Sequence, residues 1–294
     1  MLGEVLTAVV TPFAGDGSVN LDSFRRLCAH LADNGSDGLV VAGTTGESPT
    51  LTDDERLELF ATAVDTVGDR TTIVAGTGTY STAHSVHLTE RAHELGVDAF
   101  LVVTPYYSKP PVRGILAHFR AVADVTDKPI IAYNIPQRVV LNLEPETLAE
   151  LAEIPGVQAV KQATTDLDQA RRIVEDTGLA LYAGNDDLLL PFLEFGGVGG
   201  VHVYTHLVGR RVKELITRFK DGDTEGAAAI DGELRPLVDA LAVTTNPIPV
   251  KAALNMLGHD VGGHRLPLVE ASEEEKATIR EALERAGVLA AARA

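Results

Sequence analysis

The chain contains one cysteine, no tryptophan and few aromatic residues, and it has no excess of positive charge. A single cysteine, Cys28, excludes an intrachain disulfide and a cysteine metal cluster. The formal net charge of −17 argues against binding to nucleic acid or to an anionic membrane, because both need a positive surface. No apolar run approaches the ~18 residues of a membrane span, and no basic segment precedes the first apolar run. We therefore expect a cytoplasmic protein.

What the chain does have is 294 residues with an ordinary globular balance, 45 % hydrophobic and 23 % charged. Short apolar runs rich in Val and Ile alternate with helical patterns. The runs cover 6–10, 38–43, 72–76, 99–104, 129–133, 158–161, 179–184 and 200–203. The helical patterns between them include 22–33, 53–67, 83–95 and 113–125.

This alternation predicts an α/β fold with parallel strands, because each crossover helix returns the chain to the same edge of the sheet. Eight such units over about 220 residues favour a closed (β/α)8 TIM barrel over an open sheet. We predict a barrel domain at 1–221 and a C-terminal helical region at 222–294. Helices at 224–241, 249–257 and 273–286 would pack on the barrel or at a subunit contact.

In a barrel of this kind the chemistry lies at the carboxyl ends of the strands. Lys161 ends an apolar run there, so its ammonium should be held in the barrel interior. Burial favours the neutral amine, which is the form that attacks a carbonyl. The alternative is a lysine that reaches the rim or pairs with a buried carboxylate, and Lys161 alone does not decide between the two.

The segment Gly43-Thr-Thr-Gly-Glu follows the second run and precedes a helix. Its glycines permit a tight turn, so that backbone amides and the hydroxyls of Thr44 and Thr45 could hold a small carboxylate. A plain strand-to-helix turn, with Thr and Ser as caps, is the alternative for this segment. Gly184 ends a later run at the same end of the barrel.

Only six tyrosines occur in the chain, yet Tyr106, Tyr107 and Tyr133 all fall at predicted strand ends. Phenols gathered at one face could relay protons, or they could simply plug the barrel. Arg138 follows Tyr133 closely and could bind a carboxylate through two parallel hydrogen bonds, although a lone loop arginine is more often a surface residue.

Two histidine pairs raise the question of a metal site. His84 and His87 are three residues apart, and His202 and His206 are four apart. No carboxylate completes a ligand set around either pair, and the second pair spans a strand end. We therefore predict no metal.

Taken together, the residues GTTGES at 43–48, TPYY at 104–107, YNIPxR at 133–138 and Lys161 resemble the dihydrodipicolinate synthase family. This family of class I aldolases also contains N-acetylneuraminate lyase. The resemblance extends over nearly the whole chain, including NPIPVKAAL at 246–254 and RLPL at 265–268. It implies a Schiff-base lyase on a TIM barrel that needs no metal or organic cofactor.

The resemblance also implies roles for single residues. Lys161 would form an imine with pyruvate, and Tyr133 would shuttle protons to and from it. Thr44 would link Tyr133 to Tyr107 of a neighbouring subunit, within a homotetramer built from tight dimers. Thr45 would help to hold the pyruvate carboxylate.

Further implied roles concern the pocket wall and the second substrate. Backbone groups around Gly184 and Val201 would line the pocket, and Arg138 would bind the carboxylate of aspartate 4-semialdehyde. Attack of the enamine on this aldehyde, followed by cyclisation, would give a heterocycle of lysine and diaminopimelate biosynthesis.

Two other functions stay open at this point. Another pyruvate aldolase of the same family, acting on a 2-keto-3-deoxy sugar acid, would not need the charge of Arg138. A barrel that binds a small molecule without catalysis would not need Thr44, Tyr107, Tyr133 and Lys161 together.

The chain departs from the family pattern in a few places. Val139, Gln162 and His202 stand where a hydroxyl residue, an acid and a small residue are common, and they could retune the pocket. His84 stands in place of a glutamate that binds inhibitory lysine in many relatives, and Tyr80 also differs. We therefore expect weak or absent inhibition by L-lysine.

Overall fold

A computed structural model describes residues 2–289, and its centre is a closed barrel of eight parallel strands that pair in chain order. The first strand pairs with the second and with the eighth, which closes the sheet. The strands are β1 Val5–Ala8, β2 Gly38–Val41, β3 Thr72–Gly76, β4 Ala99–Val103, β5 Ile130–Asn134, β6 Val157–Gln162, β7 Ala180–Ala183 and β8 Gly199–His202. The predicted (β/α)8 fold is confirmed.

Helices follow the strands and surround the barrel. They are α1 Leu21–Asp33, α2 Asp53–Val67, α3 Thr82–Glu94, α4 Val112–Ala123, α5 Pro136–Val139, α6 Pro145–Ala152, α7 Leu167–Thr177, α8 Leu189–Glu194, α9 Thr205–Lys220, α10 Thr224–Ala240, α11 Ile248–Met256 and α12 Glu273–Arg285. Short 3-10 turns cover Ser48–Thr50 and Asp186–Leu188. None of the helices within residues 2–289 combines the length and the apolar character that crossing a bilayer requires.

Several predicted bounds agree with the structure, and the reason is local. Helix α2 has the predicted span because Thr52 and Glu55 form a capping box, in which the Thr52 amide donates to the Glu55 carboxylate at 2.9 Å. The predicted ends of β1 and β8 lie one or two residues beyond the observed ends. Val9 and Val10 are fully buried although β1 has ended at Ala8, so apolar character continues past the last ladder residue.

The core has two layers on either side of the barrel wall. An inner cluster fills the barrel and includes Leu6, Val40, Ile131, Tyr133 and Val201, and a larger outer cluster packs the strands against the helices. Because successive strand residues point to opposite faces, the two layers alternate along each strand. Because of this alternation, the side chain of Tyr133 points into the barrel and that of Asn134 points towards the helices.

The region after α9 packs against the barrel through its own helices. Helix α10 contacts α9 and α12, and α11 contacts α12. The break between Lys220 and Thr224 lies at the predicted boundary, but a division into separate domains remains a prediction. Residues 290–294 of the predicted C-terminal region lie outside the described residues.

Candidate active site

A cavity of about 460 Å³ opens at the carboxyl ends of the strands, where barrel chemistry is expected. Six of the predicted site residues line it: Thr44, Thr45, Tyr133, Arg138, Lys161 and Gly184. The end of α10 and the segment after it supply part of the opposite wall, through Asp239 on the helix and Thr245 and Asn246 beyond it. The sequence patterns do not indicate this second contribution, because nothing local ties residues 239–246 to the barrel.

Lys161 and Tyr133 form the centre of the cavity. They are direct register partners on β6 and β5, and the Lys161 Nζ lies 4.4 Å from the centroid of the Tyr133 ring. Both side chains are buried, at 5 % and 4 % exposure. Within residues 2–289 no carboxylate pairs with Lys161, so the alternative of a lysine held in a buried ion pair does not apply.

Thr44 and Thr45 lie in the turn after β2. The Asn246 side-chain amide donates to the Thr45 hydroxyl at 2.9 Å, which joins this turn to the C-terminal wall of the cavity. Thr45 is buried at 3 % exposure, and the turn ends at Glu47 in the left-handed region, with φ +56°. A non-glycine residue in that region costs free energy, so other contacts must hold it there.

Those contacts come from a buried cluster that the sequence patterns do not reveal. Lys251 donates to the Glu47 carboxylate at 3.0 Å, and His264 Nδ1 lies 3.0 Å from the same oxygen. Burial alone would raise the pKa of Glu47, but the hydrogen bond to His264 and the charge of Lys251 bring this pKa below its ordinary value. The carboxylate therefore stays ionised and fixes the turn that carries Thr44 and Thr45.

Arg138 lies on α5 at the mouth of the cavity. Its Nη2 donates weakly to the Thr245 hydroxyl at 3.4 Å and to the Asn246 carbonyl at 3.3 Å. No carboxylate within residues 2–289 forms an ion pair with Arg138. The guanidinium thus keeps donors for a carboxylate that enters from solvent.

The loop after β7 forms the floor. A side chain at Gly184 would approach the Ala163 Cβ to 2.8 Å, so only glycine fits. Asp186 accepts from the Val203 and Tyr204 backbone amides at 3.0 and 2.8 Å and lies 3.0 Å from His202 Nδ1.

Burial alone would raise the pKa of Asp186, but the hydrogen bond and charge of His202 and the two backbone amides hold it below the ordinary value. His202 is therefore a buried support for the floor. Val201 lies in the inner core, and Val203, two residues further on, lines the cavity, so the role of backbone groups around Val201 stays a prediction.

Tyr107 does not reach the cavity of its own chain. It follows β4, has φ +69° and is 93 % exposed. No hydrogen bond within residues 2–289 joins Thr44, Tyr107 and Tyr133, so the predicted hydroxyl relay stays a prediction.

The histidines take other partners. His84 Nε2 lies 2.8 Å from the Asp53 carboxylate, and His206 accepts from the Val10 amide at 3.3 Å. Within the described part of the chain, no group of three or more potential ligands is placed to hold a metal ion. The Tyr80 ring packs edge-on against Tyr106 with centroids 5.4 Å apart. The expected insensitivity to L-lysine stays a prediction.

A buried amine beside a phenol, at the carboxyl end of a (β/α)8 barrel, defines the class of aldolases that form an imine with their substrate. The sequence profile of the "Dihydrodipicolinate synthetase family" matches residues 1–286. The chain therefore belongs to the dihydrodipicolinate synthetase family, and it is a lyase of the class I aldolase type.

Individual relatives agree with this assignment. The chain is 52 % identical to the 4-hydroxy-tetrahydrodipicolinate synthase of Desulforudis audaxviator, over 98 % of each chain. It is 50 % identical to the enzyme of the same name from Moorella thermoacetica, over 98 % of this chain and 99 % of that one.

A solved structure agrees as well. The crystal structure of dihydrodipicolinate synthase from Cyanidioschyzon merolae with lysine bound has a TM-score of 0.96 and 43 % identity, covering 98 % of this chain and 99 % of that one. The predicted family, fold and synthase function are confirmed, and the two alternative functions are not favoured.

Proposed function

We propose that this chain condenses pyruvate with L-aspartate 4-semialdehyde, and that Lys161 carries pyruvate as an imine. The observation that supports this most directly is the buried pair of Lys161 and Tyr133, with the amine 4.4 Å from the ring centroid. An amine without a carboxylate partner in a cavity of about 460 Å³ is available for addition to a carbonyl.

The proposed chemistry begins when the Lys161 amine adds to the pyruvate ketone and Tyr133 gives its proton to the hydroxyl that leaves as water, so an iminium and a Tyr133 phenolate form. The iminium withdraws electrons from the adjacent methyl group, so the phenolate can take up one methyl proton and leave an enamine. The enamine carbon then bonds to the aldehyde carbon of the second substrate, and the aldehyde oxygen takes the proton back from Tyr133. Cyclisation through that substrate's amino group displaces Lys161 and gives 4-hydroxy-tetrahydrodipicolinate.

The turn at 43–47 would hold the pyruvate carboxylate. The Thr45 hydroxyl is already oriented by Asn246, and the turn is braced by Glu47, so little reorganisation is needed when an anion binds. Gly184 would allow the substrate to approach the backbone closely on the other side.

Arg138 would select the second substrate. Its guanidinium lies at the open end of the cavity and can bind the carboxylate of the semialdehyde in a bidentate manner. A neutral sugar-derived aldehyde gains nothing from this charge.

Tyr107 would act across a subunit contact. It is almost fully exposed after β4, and Tyr80, which follows β3 at the same face of the barrel, is 62 % exposed. Exposed aromatic side chains at one face favour association with a second copy, in which Tyr107 would complete the relay through Thr44. A homotetramer and a cytoplasmic location remain part of this proposal.

Borohydride trapping tests the proposal. The purified protein is treated with pyruvate and borohydride, digested, and mapped by mass spectrometry. We expect one reduced adduct, on Lys161. An unmodified Lys161 with full recovery of its peptide would contradict imine formation and favour a binding protein.

The second substrate is tested by adding aldehydes to the pyruvate-loaded enzyme. We expect turnover with aspartate 4-semialdehyde and little with glyceraldehyde, measured by pyruvate consumption. The reverse preference would assign the chain to the sugar-acid aldolases.

A further inference from the structure

A buried amide network lies directly behind the Lys161–Tyr133 pair. Asn134 and Gln162 follow Tyr133 and Lys161 on β5 and β6, and they are register partners in the same way. Because side chains alternate along a strand, the first pair points into the barrel and the second points out towards the helices. Both amides are fully buried, at 0 % exposure.

Side-chain hydrogen bonds join the two strands at this point. The Asn134 Nδ2 donates to the Gln162 Oε1 at 3.0 Å, in addition to the backbone ladder. The Leu143 amide donates to the Asn134 Oδ1 at 3.0 Å, so the other end of this side chain is also held. A buried amide with both ends bonded has one orientation only.

The side-chain amide of Gln162 is held by Gln169 of helix α7 and by Thr164, which precedes this helix. The Gln162 Nε2 donates to the Gln169 Oε1 at 2.9 Å and to the Thr164 hydroxyl at 3.0 Å. The Gln169 Nε2 in turn donates to the Leu143 carbonyl at 2.9 Å. The bonds therefore form a closed ring from β5 through β6 and α7 and back to the chain after α5.

We propose that Asn134 and Gln162 are positioning residues that fix the distance between Lys161 and Tyr133 for proton transfer. This inference rests on the proposed function. The ring of hydrogen bonds restrains Asn134 and Gln162, the last residues of β5 and β6. Each of them directly follows one of the reacting residues, Tyr133 and Lys161. A misplacement of about 1 Å at such a pair can lower a rate by about 100-fold.

The test uses Gln162→Met, which keeps the length of the side chain and removes its hydrogen bonds. The measurement is the exchange of pyruvate methyl protons in D₂O, followed by NMR without any aldehyde, because this exchange reports proton transfer at the imine. We expect the exchange rate to fall about tenfold or more, while borohydride still traps pyruvate on Lys161. Exchange within twofold of the wild-type rate in folded Gln162→Met would overturn the proposal.

Matched variants separate positioning from stability. Gln158→Met makes the same change at an exposed site on the same strand, and we expect wild-type exchange. Gln162→Glu keeps the oxygen that accepts from Asn134, so it should recover most of the lost rate. A purely structural role would lower the melting temperature of Gln162→Met and leave the exchange rate of the folded protein unchanged.

If Gln162→Met does not fold, Gln169→Met tests the same ring from α7. It leaves the Asn134–Gln162 bond in place, so a fall of about threefold is expected, and an unchanged rate would overturn the proposal. A different result would contradict the proposed function: the absence of a borohydride-trapped pyruvate adduct on Lys161 in the wild-type protein. If borohydride traps pyruvate on wild-type Lys161 but the folded variants exchange methyl protons at the wild-type rate, only the positioning role is contradicted.

Discussion

Within residues 2–289 two lysines are buried, Lys161 and Lys251, and their surroundings differ completely. Lys251 is 1 % exposed, and it donates to the Glu47 carboxylate and to the carbonyls of Thr11 and Gly263. Lys161 is 5 % exposed, faces a cavity and lies over the Tyr133 ring, and no carboxylate within residues 2–289 pairs with it. Burial is therefore common to both lysines, and only the partners distinguish them.

The difference teaches how a barrel can hold one buried amine for structure and leave another available for the proposed chemistry. Three fixed acceptors compensate for the desolvation of the Lys251 ammonium. Removal of this ammonium would take away the cationic partner of buried Glu47, which would keep only His264 and the Arg265 backbone amide. Burial lowers the pKa of Lys251, and the charge of Glu47 opposes that change. An amine without such acceptors is free to react.

The largest expected effect is on activity, from Lys161→Met. This variant should fold normally and lose about 10⁴-fold or more of the condensation activity, because the covalent step disappears. Steady-state assays with pyruvate and the semialdehyde measure the loss, and urea unfolding measures the stability. A folded variant with more than a hundredth of wild-type activity would mean that Lys161 is not the imine lysine.

The converse change, Lys251→Met, should act on stability. We expect the free energy of unfolding to fall by about 3 kcal/mol, because buried Glu47 then keeps only His264 and the Arg265 backbone amide as partners. Urea unfolding at neutral pH provides the measurement. Borohydride should still trap pyruvate on Lys161 in whatever protein is folded.

Lys220→Met is the matched control for Lys251→Met, because Lys220 pairs with Glu4 at the surface and is about half exposed. Exposed ion pairs contribute little, so its loss should have a much smaller effect. If the two substitutions lower the free energy of unfolding equally, the buried Lys251–Glu47 pair contributes no more to stability than the surface pair.

A smaller effect is expected at the mouth of the cavity. Arg138→Leu should raise the KM for the semialdehyde by about 10- to 100-fold, because one charge-assisted contact is lost. The KM for pyruvate should change little, and Arg138→Lys should lie between the two since it keeps charge without the planar fork. Equal increases in both KM values would place Arg138 outside a specific role for the second substrate.

The smallest effect concerns pH. The pKa of Glu47 is lower in the folded protein than its ordinary value, so its ion pair stabilises the fold above about pH 4.3 and is lost as the pH falls through the folded pKa. The stability difference between wild type and Lys251→Met should therefore shrink below about pH 4.

Glu55 also titrates at acidic pH, but it should affect the wild type and Lys251→Met equally. Its hydrogen bond with Arg265 lowers its pKa to about 2, and the substitution at Lys251 does not touch that pair. Unfolding curves at several acidic pH values measure the difference. A gap that stays constant down to pH 3 would show that Glu47 is not the group that Lys251 stabilises.

Local sequence patterns were sufficient to predict the barrel and the residues at the centre of the candidate site. The alternation of apolar runs with helices predicted the closed sheet, and the placement of Lys161 and Tyr133 at strand ends predicted that they would meet. This succeeds because parallel strands of a barrel all end at one face. Strand ends were less accurate, since burial of Val9 and Val10 continues where the ladder stops.

Other parts of the site could not be predicted in this way. Glu47 and Lys251 are 204 residues apart in the chain, and no periodicity links them. The same holds for Asn246, whose amide orients Thr45 from 201 residues away. The strand-end position of Tyr107 does not by itself predict its exposure, which is 93 %, and its role across a subunit contact stays a prediction.

The sequence by itself predicted the class of fold and the place of the site, because side-chain alternation and the rule of strand ends operate over a few residues at a time. Its resemblance to a known family predicted the family and proposed Lys161 as the reactive lysine. The tertiary structure alone decided which buried lysine is compensated and which is free. That outcome depends on acceptors brought together by chain closure: a carboxylate and two carbonyls surround Lys251, and an open cavity adjoins Lys161.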